Sequence, residues 1–123
     1  MTLLVIIVPA FDEAPTIEDT LHRLHDQLQR IPDVTVRIIV VDDGSSDGTG
    51  ERARAAGAAE VLRHPSNLGL GAAVRTGLKA ARRAGADVVV KIDADGQHEP
   101  ADIAQLVRPV LAGEADLVYG DRF

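Results

Sequence analysis

Apolar and polar residues follow two different patterns along this chain: continuous apolar runs and a helical periodicity. Leu3–Val8 is a continuous apolar run that ends in a proline, and Val34–Val41 has the same strand character. Such runs are typical of strands buried on both faces of a sheet. Between them, apolar residues recur every three or four positions from Ile17 to Leu28, which marks one face of a helix. The pattern therefore predicts strands and helices that alternate.

Nine elements follow from this pattern. The predicted strands are Leu3–Val8, Val34–Val41, Val61–Leu62, Asp87–Ile92 and Ala115–Tyr119. The first predicted helix has Thr16 as its cap and Glu18 and Asp19 in its first turn. The next two span Asp47–Ala56 and Leu70–Ala84, and the fourth begins at Pro100. Regular alternation of this kind implies an α/β fold with a parallel sheet covered on both faces. We expect residues 1–123 to form a single domain.

Acidic pairs stand just past three of the predicted strands. They are Asp12-Glu13, Asp42-Asp43, and Asp93 with Asp95. In open parallel sheets, ligands bind beyond the carboxyl ends of the strands, where the strand order reverses. If the first, second and fourth strands are neighbours, all three acidic clusters open onto one crevice.

Composition and charge narrow the classes of function. The chain has 123 residues, 46% hydrophobic and 26% charged, with no cysteine, which excludes a disordered chain, a disulfide scaffold and thiol catalysis. A net charge of −6 and 2% aromatic residues argue against nucleic acid as a partner. Because no apolar run approaches about 20 residues and no basic leader precedes the first strand, we expect neither a membrane anchor nor a signal peptide.

Asp93 and Asp95 are the strongest candidates for chemistry. Two carboxylates separated by one residue at the end of a buried strand repel each other unless a cation lies between them. Hard oxygen ligands without cysteine indicate Mg²⁺ or Mn²⁺. The alternative is a pair of turn and capping residues that lead into the helix at Pro100. The spacing alone leaves both interpretations open.

Two further segments carry candidate binding residues. Asp43 can accept hydrogen bonds from a base or a ribose, while Asp47 can cap the next helix. Gly69 and Gly71 open the third helix, where backbone can approach a phosphate. A dinucleotide site is disfavoured because Val74 stands where its fingerprint needs a third glycine. Three small residues are expected to pack this helix against the sheet, namely Ala72, Ala73 and Gly77.

The four histidines suggest no metal centre by their spacing. His22 and His25 lie off the apolar stripe of the first helix, and His64 ends a short strand, where we expect a local structural role. His98 follows the acidic segment and is the one histidine near candidate chemistry. No nucleophile elbow is present, so no Ser/His/Asp arrangement can be placed from the sequence.

Five motifs occur in an order that resembles the family 2 glycosyltransferases, particularly the branch of the dolichyl-phosphate mannose synthases. The motifs are Val8–Glu13, Val40–Thr49, Asn67–Gly71, Asp93–Pro100 and Gly120–Phe123. The resemblance implies the GT-A fold, a Rossmann-like three-layer α/β/α sandwich with a mostly parallel sheet, here truncated. Departures from the family pattern are Phe11 in place of tyrosine, Asp12 in place of asparagine and Asp121 in place of serine.

The resemblance also implies roles for individual residues in donor binding. The nucleoside pocket would be lined by Pro9, Phe11 and Glu13, and the base or ribose would be held by Asp43 together with Asp42. Asp93 and Asp95 would bind the metal and the diphosphate. The remaining donor-site residues would be Gly69, Ala94, Gln97 and Arg122, the last of which meets donor phosphates or the acceptor phosphate.

The implied activity is metal-dependent transfer of a hexose, with inversion, from GDP-mannose or a UDP-sugar to a polyprenyl or dolichyl phosphate. A phosphate acceptor is already an anion, so this reaction needs no strong base. The resemblance places the protein in the cytoplasm, where it would meet the membrane surface only through its acceptor.

Two other functions remain open. Members of the family continue well past the last motif, so the chain would correspond to their donor-binding half without the acceptor part. It could therefore be a catalytically incomplete domain that binds a nucleotide sugar, or that forms a homodimer through an exposed sheet edge. A sugar nucleotidyltransferase is disfavoured, because such enzymes carry a glycine-rich, basic segment where this chain has the acidic Pro9–Glu13.

Overall fold

The computed structural model describes residues 2–29, 31–94 and 117–119, the last three through their backbone alone. The strands are β1 (Thr2–Ala10), β2 (Val34–Asp42), β3 (Glu60–Arg63), β4 (Val88–Lys91) and β5 (Leu117–Tyr119). The helices in this part of the chain are α1 (Ala14–Leu28), α2 (Thr49–Ala55) and α3 (Leu70–Arg83). The fourth helix, which the sequence predicts from Pro100, lies outside the described residues.

The five strands form one sheet in the order β3-β2-β1-β4-β5, and every pairing is parallel. The chain runs outward from β1 to β2 and β3 and then returns to the other side of β1, so the strand order reverses between β1 and β4. The predicted α/β fold is therefore confirmed. β1, β2 and β4 are neighbours, as the single-crevice hypothesis requires.

Side chains of β1 alternate between two apolar cores. Leu4, Ile6 and Val8 face α1 and α2, whereas Val5 and Ile7 face α3. This arrangement produces three layers, with the sheet in the middle. It also assigns each strand-end residue to one face, because successive side chains point to opposite sides of a strand.

Small residues let α3 lie close against the sheet, as the sequence predicts. Ala73 and Gly77 are both buried in this interface. A Cβ atom on Gly77 would come within 2.4 Å of the Cγ2 atom of Ile7. The helix therefore packs on β1 at a distance that only glycine permits.

The start of α1 differs from its prediction. The helix begins at Ala14, with Glu13 as its N-cap residue and Pro15 in its first turn, so Thr16 is not the cap and Glu18 and Asp19 lie beyond the first turn. The free amide of Ala14 donates to Oδ2 of Asp47 at 3.1 Å. A carboxylate from a distant loop thus replaces the local cap.

The other helix boundaries fall near their predictions. α2 begins at Thr49 rather than at Asp47, and Asp47 accepts the Thr49 amide at 3.1 Å from outside the helix. Gly57 and Gly85 follow the ends of α2 and α3 with positive φ angles, a conformation that commonly ends a helix at glycine. Within the described residues, no helix has the length and hydropathy required to cross a membrane.

Candidate functional site

A shallow cleft of about 150 Å³ lies at the carboxyl ends of β1 and β2, beside the start of α3. Its lining is Pro9, Ala10, Phe11, Asp43, Asn67, Gly69, Leu70 and Ala73. Phe11 and Leu70 are 45% and 55% exposed. Exposed large apolar side chains around a concave surface indicate a binding site. The cleft brings together four of the predicted donor-site residues: Pro9, Phe11, Asp43 and Gly69.

Asp43 is the charged group of this cleft. Its Oδ1 accepts hydrogen bonds from Nδ1 of His64 at 2.6 Å and from the Leu68 amide at 2.9 Å, and its Oδ2 accepts from the Gly69 amide at 2.9 Å. Burial opposes ionisation, but the His64 and backbone hydrogen bonds outweigh it and lower the pKa of Asp43. Asp43 is therefore held as an anion on the floor of the cleft.

His64 and Thr76 lie behind Asp43 and are linked to it by a series of hydrogen bonds. Nε2 of His64 lies 2.8 Å from Oγ1 of Thr76, and its Nδ1 contacts Asp43. Neither His64 nor Thr76 lines the cleft. The connectivity is that of a hydrolase triad, but the carboxylate faces the cleft and the hydroxyl lies away from it. The sequence-based expectation of a purely local role for His64 missed this contact, because both partners are distant from His64 in the sequence.

The loops around Asp43 touch backbone to backbone. Gly44 has a φ angle of +79°, and a Cβ atom there would lie 2.4 Å from the carbonyl carbon of Ser66. Only glycine can adopt this conformation so close to a second backbone segment. The contact keeps the segment that supplies the Leu68 and Gly69 amides against the end of β2.

The loop that follows β1 is fastened to the loop that follows β2. The Asp12 amide donates to Oγ of Ser45 at 2.8 Å, and Oδ1 of Asp12 accepts from the Ser46 amide at 3.0 Å. The Glu13 amide donates to Oγ1 of Thr49 at 3.0 Å. Asp12 has a φ angle of +50°, a conformation that aspartate and asparagine tolerate better than most residues, so aspartate can replace the family's asparagine here.

The structure does not bring Asp42 or Glu13 into the cleft. Asp42 is the last residue of β2, and its side chain points to the opposite face of the sheet from Asp43. There it is 1% exposed, and its Oδ1 accepts from the Ser45 amide at 2.9 Å. Glu13 occupies the N-cap position of α1 without a side-chain capping hydrogen bond, and its Oε2 accepts from Oγ1 of Thr16 at 3.0 Å. We assign both residues to loop structure rather than to contact with a nucleoside.

The acidic segment after β4 is anchored at both described positions. Oδ1 of Asp93 lies 3.1 Å from Nζ of Lys91, whose side chain is 3% exposed. Ala94 is buried, and its carbonyl accepts from Oγ1 of Thr16 at 2.9 Å. The segment is thereby tied to α1. The predicted site residues Asp95, Gln97 and Arg122, together with His98, lie outside the described residues.

The residues that the structure describes fit part of a metal site. Asp93 supplies carboxylate oxygens, the ligand chemistry that Mg²⁺ and Mn²⁺ prefer, and its side chain is 26% exposed. The Lys91 ammonium group balances its negative charge. Within residues 2–29 and 31–94, no group of three or more histidine and acidic side chains could hold a metal; the predicted ligand Asp95 lies outside these residues.

A larger cleft, of about 480 Å³, lies at the other end of the sheet beside the final turn of α3. Arg37, Glu60 and Arg83 supply its charged lining. None of the predicted site residues lies there, and ligands of parallel sheets bind at the carboxyl ends of the strands. We therefore take the smaller cleft as the candidate site.

A three-layer α/β fold with a charged cleft at the carboxyl ends of its parallel strands defines an α/β protein of the doubly wound, ligand-binding type. Comparison with protein families narrows the class further. Residues 5–123 match the model of glycosyl transferase family 2. The chain belongs to this family.

Two curated relatives show the extent of the similarity. The polyprenol monophosphomannose synthase of Mycolicibacterium smegmatis is 37% identical over 123 residues, which cover 96% of this chain and 44% of the relative. The UDP-N-acetylglucosamine–dolichyl-phosphate N-acetylglucosaminyltransferase of Methanococcus voltae is 32% identical over 136 residues, or 98% and 52% of the two chains. This chain thus spans about half the length of these relatives.

Solved structures agree with the fold. The glucosyl-3-phosphoglycerate synthase of Mycobacterium tuberculosis, in complex with Mn²⁺, UDP-glucose and phosphoglyceric acid, matches with a TM-score of 0.69 and 31% identity. The match covers 92% of this chain and 40% of the synthase. The GT-A architecture predicted from the sequence is therefore confirmed.

Proposed function

We propose that this chain is the donor-binding part of a glycosyltransferase that moves a hexose from a nucleoside diphosphate to a polyprenyl phosphate, and that residues 1–123 form one domain of that enzyme. The observation that carries the proposal is the cleft at the carboxyl ends of β1 and β2. There an ionised, immobilised Asp43 and the exposed ring of Phe11 lie side by side.

The hydrogen bonds of Asp43 define which bases it can receive. A carboxylate has about four acceptor positions, and His64, Leu68 and Gly69 occupy three of them. The position left on Oδ2 accepts a single N–H group. Uracil offers one such group on its ring, whereas the edge of guanine offers two neighbouring ones that suit a bidentate acceptor. The resemblance ranks GDP-mannose first, but this geometry favours a UDP-sugar.

The diphosphate would lie toward the end of β4. Asp93 and Asp95 would hold Mg²⁺ or Mn²⁺, which when bound neutralises the charge that develops on the leaving diphosphate. Asp93 is oriented by Lys91, and the buried Ala94 fixes the segment between the two acids.

The acceptor is inferred from the relatives. The two curated enzymes carry polyprenol or dolichyl phosphate in their names, and a phosphate oxygen of such a lipid is an anionic nucleophile. A single displacement by it would invert the anomeric carbon without a strong base. Such a protein would act at the cytoplasmic face of a membrane and meet the bilayer through this lipid.

A transfer assay tests the proposal. The chain is incubated with Mn²⁺, radiolabelled UDP-glucose or GDP-mannose, and vesicles that contain undecaprenyl phosphate, and label in the extracted lipid is counted. We expect lipid-linked hexose that disappears with Asp93→Asn and persists with Asp87→Asn, a matched change at the other end of β4. Equal label in vesicles with and without the polyprenyl phosphate would refute the proposed acceptor.

The incomplete-domain alternative has one observation in its favour. The chain spans 44% and 52% of the two enzymes named above. In that case the chain would bind the nucleotide sugar without transferring the hexose. Nucleotide binding without lipid-linked product would support this alternative, whereas sustained transfer would exclude it.

A further inference from the structure

The Thr76–His64–Asp43 chain is the one buried polar network of the described residues that ends in the candidate cleft. We propose that His64 is a positioning residue of the donor site, which fixes the Asp43 carboxylate so that only its Oδ2 faces the nucleoside. The proposal rests on the proposed function, because it assumes that the cleft receives a nucleotide.

The imidazole ring of His64 is held on both sides. His64 is 8% exposed, and its two ring nitrogens contact Asp43, just after β2, and Thr76 on α3. The backbone amide of His64 also donates to the Asp42 carbonyl at 2.9 Å. Two ring contacts and one backbone hydrogen bond therefore fix His64, and the ring links α3 to the carboxylate.

Oδ2 is the oxygen of the Asp43 carboxylate that keeps a free acceptor position. Both positions on Oδ1 are filled, one by His64 and one by the Leu68 amide. Without the imidazole, only the Leu68 and Gly69 amides would hold the carboxylate, and its orientation toward the nucleoside would be less restrained. A less restrained acceptor would lose affinity, because binding would have to immobilise it.

The orientation of the Thr76, His64 and Asp43 network disfavours a role in nucleophilic catalysis. A Thr/His/Asp chain could activate the threonine hydroxyl as a nucleophile. Here the hydroxyl end is Thr76, on α3 and outside the cleft lining, while the carboxylate end lies on the cleft floor. The orientation suits a network that serves the carboxylate.

Two substitutions separate the roles of the two ring nitrogens. The side-chain amide nitrogen of asparagine lies near the position of Nδ1, so His64→Asn can still donate to Asp43. The amide nitrogen of glutamine extends to the position of Nε2, so His64→Gln can meet Thr76 but not Asp43. Both variants lose the imidazole and one of its two contacts, and each is a control for the other.

The measurement is calorimetric titration of wild type and both variants with UDP in the presence of Mn²⁺, after circular dichroism has established that each is folded. We expect UDP binding about tenfold weaker in His64→Gln, from loss of one hydrogen bond to a charged group, and within about threefold of wild type in His64→Asn. Equal affinities in the two variants would overturn the role of His64.

A second variant keeps the test decisive if His64→Gln does not fold. Thr76→Val removes the hydroxyl that holds the far side of the ring, and we expect it to weaken UDP binding by roughly threefold. Unchanged affinity would then overturn the proposal. Absence of UDP and GDP binding by the folded wild-type chain would instead refute the proposed function itself, and the positioning role with it.

Discussion

Replacement of Asp43 by asparagine would remove the charge of the cleft while preserving the size of the side chain. The three donors around Asp43 are Nδ1 of His64 and the amides of Leu68 and Gly69. Asparagine has one carbonyl oxygen, which can accept two of these bonds, and its NH₂ group would face the third donor. The variant therefore leaves one buried donor without a partner.

The expected loss of stability follows from this count. An unsatisfied buried donor costs about 1–3 kcal/mol, and each of the two retained bonds loses roughly 1 kcal/mol when its acceptor is no longer charged. The sum is about 3–5 kcal/mol, a large part of the 5–15 kcal/mol that is typical of a folded domain. UDP binding should disappear as well, because the NH₂ group cannot accept an N–H from the base.

Urea unfolding at pH 7 measures this effect. With a slope of about 1–3 kcal/mol per molar urea, the midpoint of Asp43→Asn should fall by roughly 1–5 M. Asp19→Asn is the matched control, because Asp19 pairs with Arg23 at 3.0 Å on the surface with its side chain 62% exposed. Surface pairs of this kind contribute about 0–1 kcal/mol. Equal midpoints for the two variants would refute the account of Asp43.

The pH dependence gives an independent check. Because the pKa of Asp43 is lowered in the folded state by its hydrogen bonds despite its burial, its stabilising effect is fully present above the unfolded value of about 4. That effect is lost as the pH falls through the lower, folded pKa. The stability difference between wild type and Asp43→Asn should therefore shrink below about pH 4, and a difference that is constant from pH 7 to pH 2 would contradict the reasoning. Hydrogen bonds from Thr49 also lower the pKa of Asp47, but Asp47 is present in both proteins and cancels.

Three further predictions concern packing, the cleft and the acidic segment. Gly77→Ala should lower the melting temperature, because its Cβ would overlap a β1 side chain at 2.4 Å. The control Gly71→Ala, with open space around the new Cβ, should leave the melting temperature unchanged or raise it. Equal shifts in melting temperature for the two variants would count against tight packing of α3. Phe11→Ala should weaken UDP binding roughly tenfold in titration calorimetry through loss of stacking, with the urea midpoint unchanged; unaltered affinity would remove Phe11 from the site. Thr16→Val should weaken Mn²⁺-dependent UDP binding severalfold, because the Ala94 carbonyl loses its 2.9 Å hydrogen-bond donor. Unchanged Mn²⁺-dependent binding would show that the acidic segment after β4 does not need the hydrogen bond from Thr16.

The architecture and the location of the cleft could be predicted because both follow from local patterns. The apolar run of β1 indicates a central strand, and the acids after β1, β2 and β4 identify the edge of the sheet where ligands bind. The alternation of side chains also separates Asp42 from Asp43. Asp42 continues the face of Val40, so its exclusion from the cleft was within reach of the sequence.

Contacts between segments that are distant in the sequence could not be predicted from the sequence. The start of α1 was misplaced because its first amide is satisfied by Asp47, 33 residues away. The role of His64 depends on Asp43 and Thr76, which precede and follow it by 21 and 12 residues. No local pattern encodes such pairings, since they arise only when the strands assemble in this order.

Hydrogen exchange measured with and without UDP and Mn²⁺ tests most directly whether the cleft at the carboxyl ends of β1 and β2 is the donor site. The account predicts slower exchange of the amides in residues 9–13 and 67–73, which border Phe11 and supply the Leu68 and Gly69 donors to Asp43. Exchange should stay unchanged in residues 80–84, beside the larger cleft at the other end of the sheet. Slower exchange confined to that larger cleft would contradict the account.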